Sequence, residues 1–327
     1  MSLSPPSLPT LSVHLARRGD VDFWRPYIVD IFDRHGLGEP GNLSAGFNPT
    51  HPTFLAQDVV IKLFGGAPFW KQSHLAEQIA QQRVSDVSGL KVPRLVARGN
   101  LCEGDTPWPY LITTRVEGGF WDPDAMSPGD NLTIAEALGR QLHLIHQLDQ
   151  DGIVHAEDWG GPEPIAALQD SGFPQHLLEQ VDGFLERLDA PGAAFLHGDL
   201  VANHIFVRDG KLAGIIDWGD AMIADPHAEI AKLHFHTFGA DRRLLRQFLE
   251  GYGWPVGDDF PQKVLGCAIR RQQVGLAQHH SFDIFNRLPA LLPLGEIDTI
   301  DALAERLFGD LLDQASRGGA HHNRNRL

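Results

Sequence analysis

The sequence predicts an α+β protein in which a strand-rich N-terminal part precedes a mainly helical C-terminal part. Two short apolar runs, 53–56 and 59–64, flank a Gln-Asp turn, a pattern that is typical of paired strands. From Asn131 onward, apolar residues recur at the spacing of amphipathic helices. The later predicted helices span 173–188, 229–238, 242–252, 260–279 and 297–315. A third pattern occupies 195–217, where two short apolar runs each lead into a polar loop.

Composition indicates a soluble globular protein that is long enough for two domains. The chain has 327 residues, of which 43% are hydrophobic and 21% are charged, and both fractions are ordinary for such proteins. Its formal net charge of -15 argues against a nucleic-acid partner, which would favour a basic surface. The same charge is compatible with a cationic small molecule, although acidity also serves solubility alone.

The cysteines and the first residues favour a cytoplasmic location. Cys102 and Cys267 stand alone in the sequence, so they imply neither a disulfide framework nor a cysteine-based zinc site. No stretch approaches the roughly 18 apolar residues of a membrane span, and we expect no membrane partner. The Ser- and Pro-rich start lacks the basic and apolar segments of a secretory signal.

Helical spacing predicts two helices in the N-terminal part, at 22–35 and 69–84. Lys62 lies inside the second predicted strand, and Glu77 lies in the middle of the second of these helices. Taken alone, the lysine is explained by a sheet edge from which it reaches water, and the glutamate by a solvated helix face. Thr133 is expected to cap the first helix of the C-terminal part.

The polar loops of the 195–217 segment carry the chemistry. Two carboxylates, Asp199 and Asp217, and two imidazoles, His197 and His204, lie close together in the sequence. Phosphoryl transfer needs one carboxylate to orient the acceptor hydroxyl and a second acidic group to hold the metal on the nucleotide. The pattern therefore predicts a kinase-like active site.

These loops resemble the motifs of aminoglycoside phosphotransferases and related small-molecule kinases. That family has His-Gly-Asp-x-x-x-x-Asn, a strand, and then Ile-Asp-Trp or Ile-Asp-Phe, and the matching segments here are 197–204 and 216–218. The resemblance implies a protein-kinase-like bilobal fold with a small β-rich N-lobe and a larger, mainly helical C-lobe. The implied parts are a nucleotide-binding lobe at 1–117, a catalytic and acceptor-binding lobe at 118–316, and a flexible tail at 317–327.

The same resemblance implies that Asp199 is the catalytic residue and that Asp217 chelates Mg²⁺ on the nucleotide phosphates. The family's second metal ligand is an asparagine five residues after the catalytic aspartate. His204 occupies that position, and Asn203 comes one residue earlier. We assign His204 to the metal and keep Asn203 as the alternative. An imidazole ligand suits Mn²⁺ better than Mg²⁺, which leaves the metal open.

The resemblance also implies a site for ATP, with GTP as the alternative. Lys62 would reach the nucleotide phosphates, and Glu77 would hold that lysine extended. Gly46 would lie at the tip of a loop over the phosphates, where a glycine lets backbone amides approach, although a plain turn explains this glycine equally well. Thr114 and Val116 would belong to the hinge that binds the purine through backbone groups.

The acceptor is the least determined part of the prediction. The resemblance implies an O-phosphotransferase acting on a hydroxyl of a small cationic molecule, above all an aminoglycoside-type antibiotic, and hence a role in antibiotic resistance. Candidate carboxylates for binding it are Asp220, Asp283 and Glu296, each of which is also explained as an ordinary surface residue. For the assembly we expect a monomer or a dimer.

Three other functions stay open on the sequence. A metabolic kinase would apply the same chemistry to an amino alcohol, a sugar or an amino acid. A non-haem iron oxygenase would use His197 and Asp199 with a distant histidine, but it normally needs an all-β scaffold and leaves Lys62 and Asp217 unexplained. A nucleotide-binding pseudokinase would bind without transfer, and the presence of Lys62, Asp199 and Asp217 argues against it.

Overall fold

A computed structural model describes residues 4–102, 107–156, 173–270, 287–309 and 311. The chain forms two compact units. The first comprises Met1–Gly118, Asp151–Val154 and Ala213–Ala221, and the second comprises Gly119–Gln150, His155–Leu212 and Met222–Leu327. The segments 151–154 and 213–221 fall within the range that the sequence assigned to the second lobe.

The first unit is built on a five-stranded antiparallel sheet. Its strands are β1 (Leu43–Ala45), β2 (Thr53–Ala56), β3 (Val59–Leu63), β4 (Leu95–Asn100) and β5 (Pro109–Thr114), in the order β1-β2-β3-β5-β4. The helices of this unit are α1 (Leu11–Arg17), α2 (Val21–His35) and α3 (Trp70–Ser85). The strand pair and both helices predicted from the sequence are therefore present.

The core of the first unit lies between α2 and the sheet. Asp20 begins α2 by accepting a hydrogen bond from the Phe23 amide at 3.1 Å, and Gly36 ends it in the left-handed conformation. Trp24 and Phe54 are fully buried in the cluster that joins the helix to the strands. Such burial of large aromatic side chains is the main stabilising contribution of a core of this kind.

Alternation along β3 places Lys62 on the side of the sheet away from this core. Val59, Ile61 and Leu63 are buried, and the residues between them are partly accessible. Successive side chains of a strand point to opposite faces, so the apolar positions of β3 fix the direction of Lys62. The position of this lysine is therefore a direct consequence of the sequence pattern.

The second unit is mainly helical. The helices among its described residues are α4 (Pro128–Ile145), α5 (Gln175–Leu178), α6 (Val181–Arg187), α7 (His227–Lys232), α8 (Arg242–Tyr252), α9 (Phe260–Arg270), α10 (Leu288–Leu291) and α11 (Ile300–Phe308). Two small sheets accompany them. One has the order β6 (Gly119–Phe120), β8 (Ile205–Arg208) and β9 (Lys211–Ile215), and the other pairs β7 (Ala194–Leu196) with β10 (Met222–Ala224). Within β9 the chain passes into the first unit.

Two helix predictions were wrong in detail. Helix α4 begins at Pro128, capped by Ser127, while the Thr133 hydroxyl donates to the Gly129 carbonyl at 3.0 Å inside the helix. A serine followed by proline is the stronger start signal, because proline suits the first helical position. The predicted helix 173–188 is divided into α5 and α6. The segments 271–279 and 312–315 of two predicted helices and the predicted tail 317–327 lie outside the described residues.

No helix within the described ranges has the length and apolar character needed to cross a membrane. Cys102 and Cys267 are both free thiols. Burial raises the pKa of the Cys267 thiol to about 12, so this cysteine is an unreactive part of the packing.

Candidate active site

In the first unit, three predicted site residues form one ionic cluster. The Lys62 ammonium on β3 lies 2.5 Å from Glu77 Oε2 on α3 and 2.7 Å from Asp217 Oδ1. The structure thus brings together residues that are separated by up to 155 positions in the chain. One ammonium contacts two carboxylates, and these contacts hold the Lys62 side chain in a fixed position.

Burial sets the electrostatics of this cluster. Glu77 is only 6% exposed, which excludes the solvated interpretation of this residue. Burial, together with the negative charge of Asp217, raises the pKa of Glu77 to about 7 against the opposing effect of Lys62. Burial alone would lower the pKa of Lys62, but the charges of Asp217 and Glu77 outweigh it and raise that pKa. Lys62 therefore stays an ammonium.

The backbone at Asp217 is unusual. This residue has φ 65°, in the left-handed region that side-chain-bearing residues seldom adopt and that aspartate tolerates better than most. Trp218 beside it is fully buried. A methyl group at Gly219 would lie 3.2 Å from Glu77 Oε2 and 3.4 Å from Lys62 Nζ, so glycine there lets the backbone pass close to the ionic cluster.

Sequence reasoning missed His51, which lies near this cluster. It is 2% exposed, and neither ring nitrogen has a hydrogen-bond partner among the described residues. Burial, aided by the positive charge of Lys62, lowers the pKa of His51 to about 3, so the imidazole is neutral at neutral pH. A histidine before Pro52 in a Gly- and Pro-rich loop carries no sequence signal of such burial.

The remaining nucleotide candidates, Gly46, Thr114 and Val116, all contact other residues of the first unit. The Gly46 amide donates to the Thr53 carbonyl at 2.8 Å and so extends the pairing of β1 with β2. A contact from this amide to a phosphate would require that hydrogen bond to open. Thr114 ends β5, where its hydroxyl accepts from the Arg94 amide at 2.9 Å. Val116 packs against Gly214, where a Cβ would not fit.

In the second unit, Asp199 lies in the loop after β7. Gly198 has φ 90°, a conformation that favours glycine. The Asp199 Oδ1 forms an ion pair with the Lys232 ammonium at the end of α7. Burial alone would raise the pKa of Asp199, but the charge and the hydrogen bond of Lys232 oppose burial most strongly, and that pKa lies well below its usual range. Asp199 is therefore an ionised carboxylate, as an acceptor of a hydroxyl hydrogen bond must be.

His204 occupies a short 3₁₀ turn, Ala202–His204, that also contains Asn203. Its Nδ1 lies 2.7 Å from the Asp199 carbonyl oxygen. Because a carbonyl only accepts, Nδ1 carries the proton and the lone pair of the neutral ring is on Nε2. Metal-binding histidines have this arrangement, in which the second nitrogen is held by a backbone carbonyl. The chemistry of His204 therefore fits a metal ligand.

A buried network braces the loop that carries Asp199. Glu229 Oε1 accepts from the Gly198 amide at 2.7 Å, and its Oε2 accepts from His146 Nε2 at 3.0 Å. The other ring nitrogen of His146 lies 2.9 Å from the Tyr252 hydroxyl. Burial and the charge of Glu229 raise the pKa of Tyr252 to about 12, so the hydroxyl keeps its proton in this network.

The predicted acceptor-binding carboxylates belong to different units or lie outside the described residues. Asp220 belongs to the first unit, where its charge acts on Glu77. Glu296 is exposed on the 3₁₀ turn Leu294–Glu296. Asp283 lies outside the described residues. Asp225 has a structural role, because its carboxylate accepts from the Gly192 and His227 amides.

Comparison with known proteins gives a family match. A sequence model of the phosphotransferase enzyme family APH matches residues 51–262. Viomycin phosphotransferase from Streptomyces vinaceus is 25% identical over 187 residues, covering 51% of this chain and 62% of the relative. The lysine-specific demethylase JMJ21 from Arabidopsis thaliana is 23% identical over 208 residues, covering 46% of this chain and 22% of the relative. The chain thus spans less than two thirds of the length of these curated relatives.

Solved structures show the same fold. The streptomycin–ATP ternary complex of APH(2")-IIa has a TM-score of 0.54 at 16% identity, covering 72% of this chain and 85% of that one. The GDP complex of aminoglycoside 2'-phosphotransferase-IIIa has a TM-score of 0.55 at 18% identity, with coverages of 90% and 98%. Macrolide 2'-phosphotransferase MphH from Brachybacterium faecium has a TM-score of 0.55 at 17% identity, with coverages of 92% and 99%. The predicted α+β, protein-kinase-like fold is confirmed.

Proposed function

Because the chain belongs to the APH phosphotransferase enzyme family, we propose that it transfers the terminal phosphoryl group of a nucleoside triphosphate to a hydroxyl of a small molecule. The observation that carries this proposal is the state of Asp199, an ionised carboxylate on a glycine turn that a buried glutamate braces. Phosphoryl transfer depends on positioning more than on base strength. A braced, weakly basic carboxylate suits that requirement.

In the proposed reaction, Asp199 accepts a hydrogen bond from the acceptor hydroxyl and aims its oxygen at the γ-phosphorus. A bond forms between that oxygen and phosphorus, and the bond from phosphorus to the β–γ bridging oxygen breaks. The nucleoside diphosphate leaves with the bond's electron pair, and the hydroxyl proton passes to Asp199. A low pKa makes Asp199 a poor base but a constant hydrogen-bond acceptor, which is sufficient for a loose transition state.

We propose ATP or GTP as the donor, with Lys62 directed at the phosphates and Glu77 holding this lysine. The buried Lys62–Glu77 pair supports this proposal, and related folds were solved with ATP and with GDP. Asp217 and His204 would each supply a ligand to Mg²⁺ or Mn²⁺. Among the described residues, no three His, Cys, Asp or Glu side chains converge on a metal by themselves, which suits an ion that depends on phosphate oxygens. Such an ion, when bound, would neutralise phosphate charge.

For the acceptor we propose a cationic antibiotic of the aminoglycoside class, modified in the cytoplasm. The net charge of -15 supports a cationic ligand. Relatives of this chain include a viomycin phosphotransferase and a structure with bound gentamicin. A panel of streptomycin, gentamicin, kanamycin, viomycin and a macrolide, beside amino alcohols, sugars and amino acids, separates this acceptor class from that of a metabolic kinase.

The test is turnover of ATP and GTP with this panel by the wild type and by Asp199→Asn. We expect the variant to lose about 100-fold or more in kcat, because the amide cannot accept the hydroxyl proton, and to retain nucleotide affinity. Asp209→Asn is the matched control, since Asp209 is 89% exposed in side chain and should leave kcat unchanged. Full activity of Asp199→Asn would contradict the assignment. Nucleotide binding without transfer to any acceptor or to water would favour a pseudokinase.

The geometry disfavours the iron oxygenase. His197 is fully buried, and its Nδ1 accepts from the Asp199 amide at 3.2 Å. Asp199 Oδ1 is held by Lys232. A facial triad would need His197 to present a ring nitrogen to the ion, but this ring is fully buried and its Nδ1 is engaged with the Asp199 amide.

A further inference from the structure

Lys232 is a buried lysine that belongs to none of the sequence motifs described above. It is the last residue of α7 and is 6% exposed. Its ammonium forms an ion pair with Oδ1 of Asp199, 33 residues away in the chain. A lysine loses much hydration on burial, so burial of this kind needs a compensating partner. Here the partner is the carboxylate proposed to receive the acceptor hydroxyl.

The loop of Asp199 is already held without this ion pair. Glu229 fixes the Gly198 amide, and the Asp199 carbonyl accepts from His204. These hydrogen bonds fix the backbone, but neither of them fixes the rotation of the Asp199 carboxylate. Lys232 does so, because it pairs with one of the two oxygens. Oδ2 lies 3.5 Å from His204 Nδ1, beyond a normal hydrogen bond.

We propose that Lys232 is a positioning residue of the phosphoryl-transfer site, which holds Asp199 Oδ1 so that Oδ2 receives the acceptor hydroxyl. This inference rests on the proposed function. In the transfer step the hydroxyl proton passes to Oδ2, and Lys232 takes up or releases no proton. The helix changes to a π-helical turn, Leu233–Thr237, directly after this lysine, and such turns are frequent at functional sites.

The experiment compares Lys232→Met with Lys263→Met, a matched control. Lys263 lies on α9, is 31% exposed in side chain, and pairs with Asp259 at 2.6 Å on the surface. With ATP as donor and kanamycin, viomycin or water as acceptor, we expect Lys232→Met to lower kcat about 100-fold, as a misplaced reacting group does. Its KM for ATP should stay within about threefold, since binding energy is not removed. Lys263→Met should change neither constant.

Lys232→Arg is a second variant that tests the same proposal if Lys232→Met does not fold. The arginine retains the charge, so this variant should fold, but a planar guanidinium engages both oxygens of a carboxylate. If Lys232 positions Asp199, kcat of Lys232→Arg should therefore be lower than that of the wild type by at least about tenfold. The melting temperature of this variant should be unchanged. An ion pair with only a structural role would instead be restored by arginine, and wild-type kcat in this variant would overturn the proposal.

A double variant tests whether Lys232 acts through Asp199. In the Asp199→Asn background, Lys232→Met should lower kcat no further, because the group that it positions is already absent. Full additivity of the two losses would overturn the proposal. If the wild type transfers phosphate neither to any acceptor nor to water, both the proposed function and this inference are contradicted. If the wild type is active and Lys232→Met has the same kcat, only this inference is contradicted.

Discussion

Glu229 is a buried carboxylate of the second unit that binds two partners. It is 2% exposed and accepts from the Gly198 amide and from His146. Burial alone would raise the pKa of Glu229, but these hydrogen bonds and the neighbouring imidazoles lower it. The carboxylate is therefore charged inside the protein and depends on both partners.

Replacement of Glu229 by alanine should affect both stability and catalysis. We expect Glu229→Ala to lower the free energy of unfolding by about 3 kcal/mol, the usual cost of breaking a buried charged network, and to lower kcat because Gly198 loses its brace. Glu229→Gln should cost less, since its carbonyl can still accept from Gly198 while His146 accepts from the amide after a tautomer change. Urea unfolding and steady-state kinetics measure both effects. Glu250→Ala, at an exposed site on α8, is the control, and equal losses in both alanine variants would refute this role.

Among the helices, α4 and α8 meet through glycines. A Cβ at Gly139 would overlap the Phe248 carbonyl of α8, and a Cβ at Gly251 would overlap the Glu136 carbonyl of α4. The close approach also brings His146, which follows α4, to the Tyr252 hydroxyl at the end of α8. The packing of these helices therefore supports the network behind Asp199.

For Gly139→Ala, two effects oppose each other. Alanine in a helix is favoured over glycine by about 1 kcal/mol, but overpacking against backbone atoms costs about 1–3 kcal/mol. Because the overlapping atoms are backbone and cannot rotate away, we expect the variant to be less stable and to have a lower kcat. Gly183→Ala on α6, where nothing lies within 4 Å of the added methyl, should be neutral or stabilising. Thermal unfolding measures the stability of the two variants against that of the wild type. A Gly139→Ala variant more stable than the wild type would contradict the close packing of α4 on α8.

Across the whole molecule, buried histidines make stability depend on pH. Burial lowers the pKa of His51 in the first unit and of His234 in the second to about 3. An unfolded chain has histidines with a pKa near 6.5. Between these values the unfolded state binds more protons than the folded state, so stability falls as pH falls below about 6.5.

We expect each of these histidines to remove about 2 kcal/mol of stability between pH 7.5 and pH 5. His51→Gln, which cannot be protonated, should reduce the pH dependence by that amount whatever its effect at pH 7.5. His143→Gln, at an exposed position on α4, should leave the dependence unchanged. Urea unfolding at pH 7.5 and pH 5 measures this change in the free energy of unfolding. If the change is the same in His51→Gln as in the wild type, His51 takes up a proton in the folded state.

Local pattern was sufficient for much of the fold and for part of the candidate site. The apolar run 59–64 predicted the strand β3, helical spacing predicted α8 at its observed bounds, and the two loop motifs led to the family. These features depend on neighbours within a few residues, since period and turn chemistry are local properties. The ionic partners of Lys62 agree with the resemblance, and their roles in catalysis stay predictions.

The sequence by itself therefore determined the strand and helix pattern and the family of the chain. Only the tertiary structure decided that Lys232 pairs with Asp199, that Glu229 and Tyr252 lie behind Gly198, and that His51 is buried without a hydrogen bond in the described part of the chain. The physical reason is that the environment of a charged or polar side chain is set by residues distant in the chain. The local pattern of apolar and polar residues does not show which of these distant residues will come within 3 Å of the side chain in the folded protein.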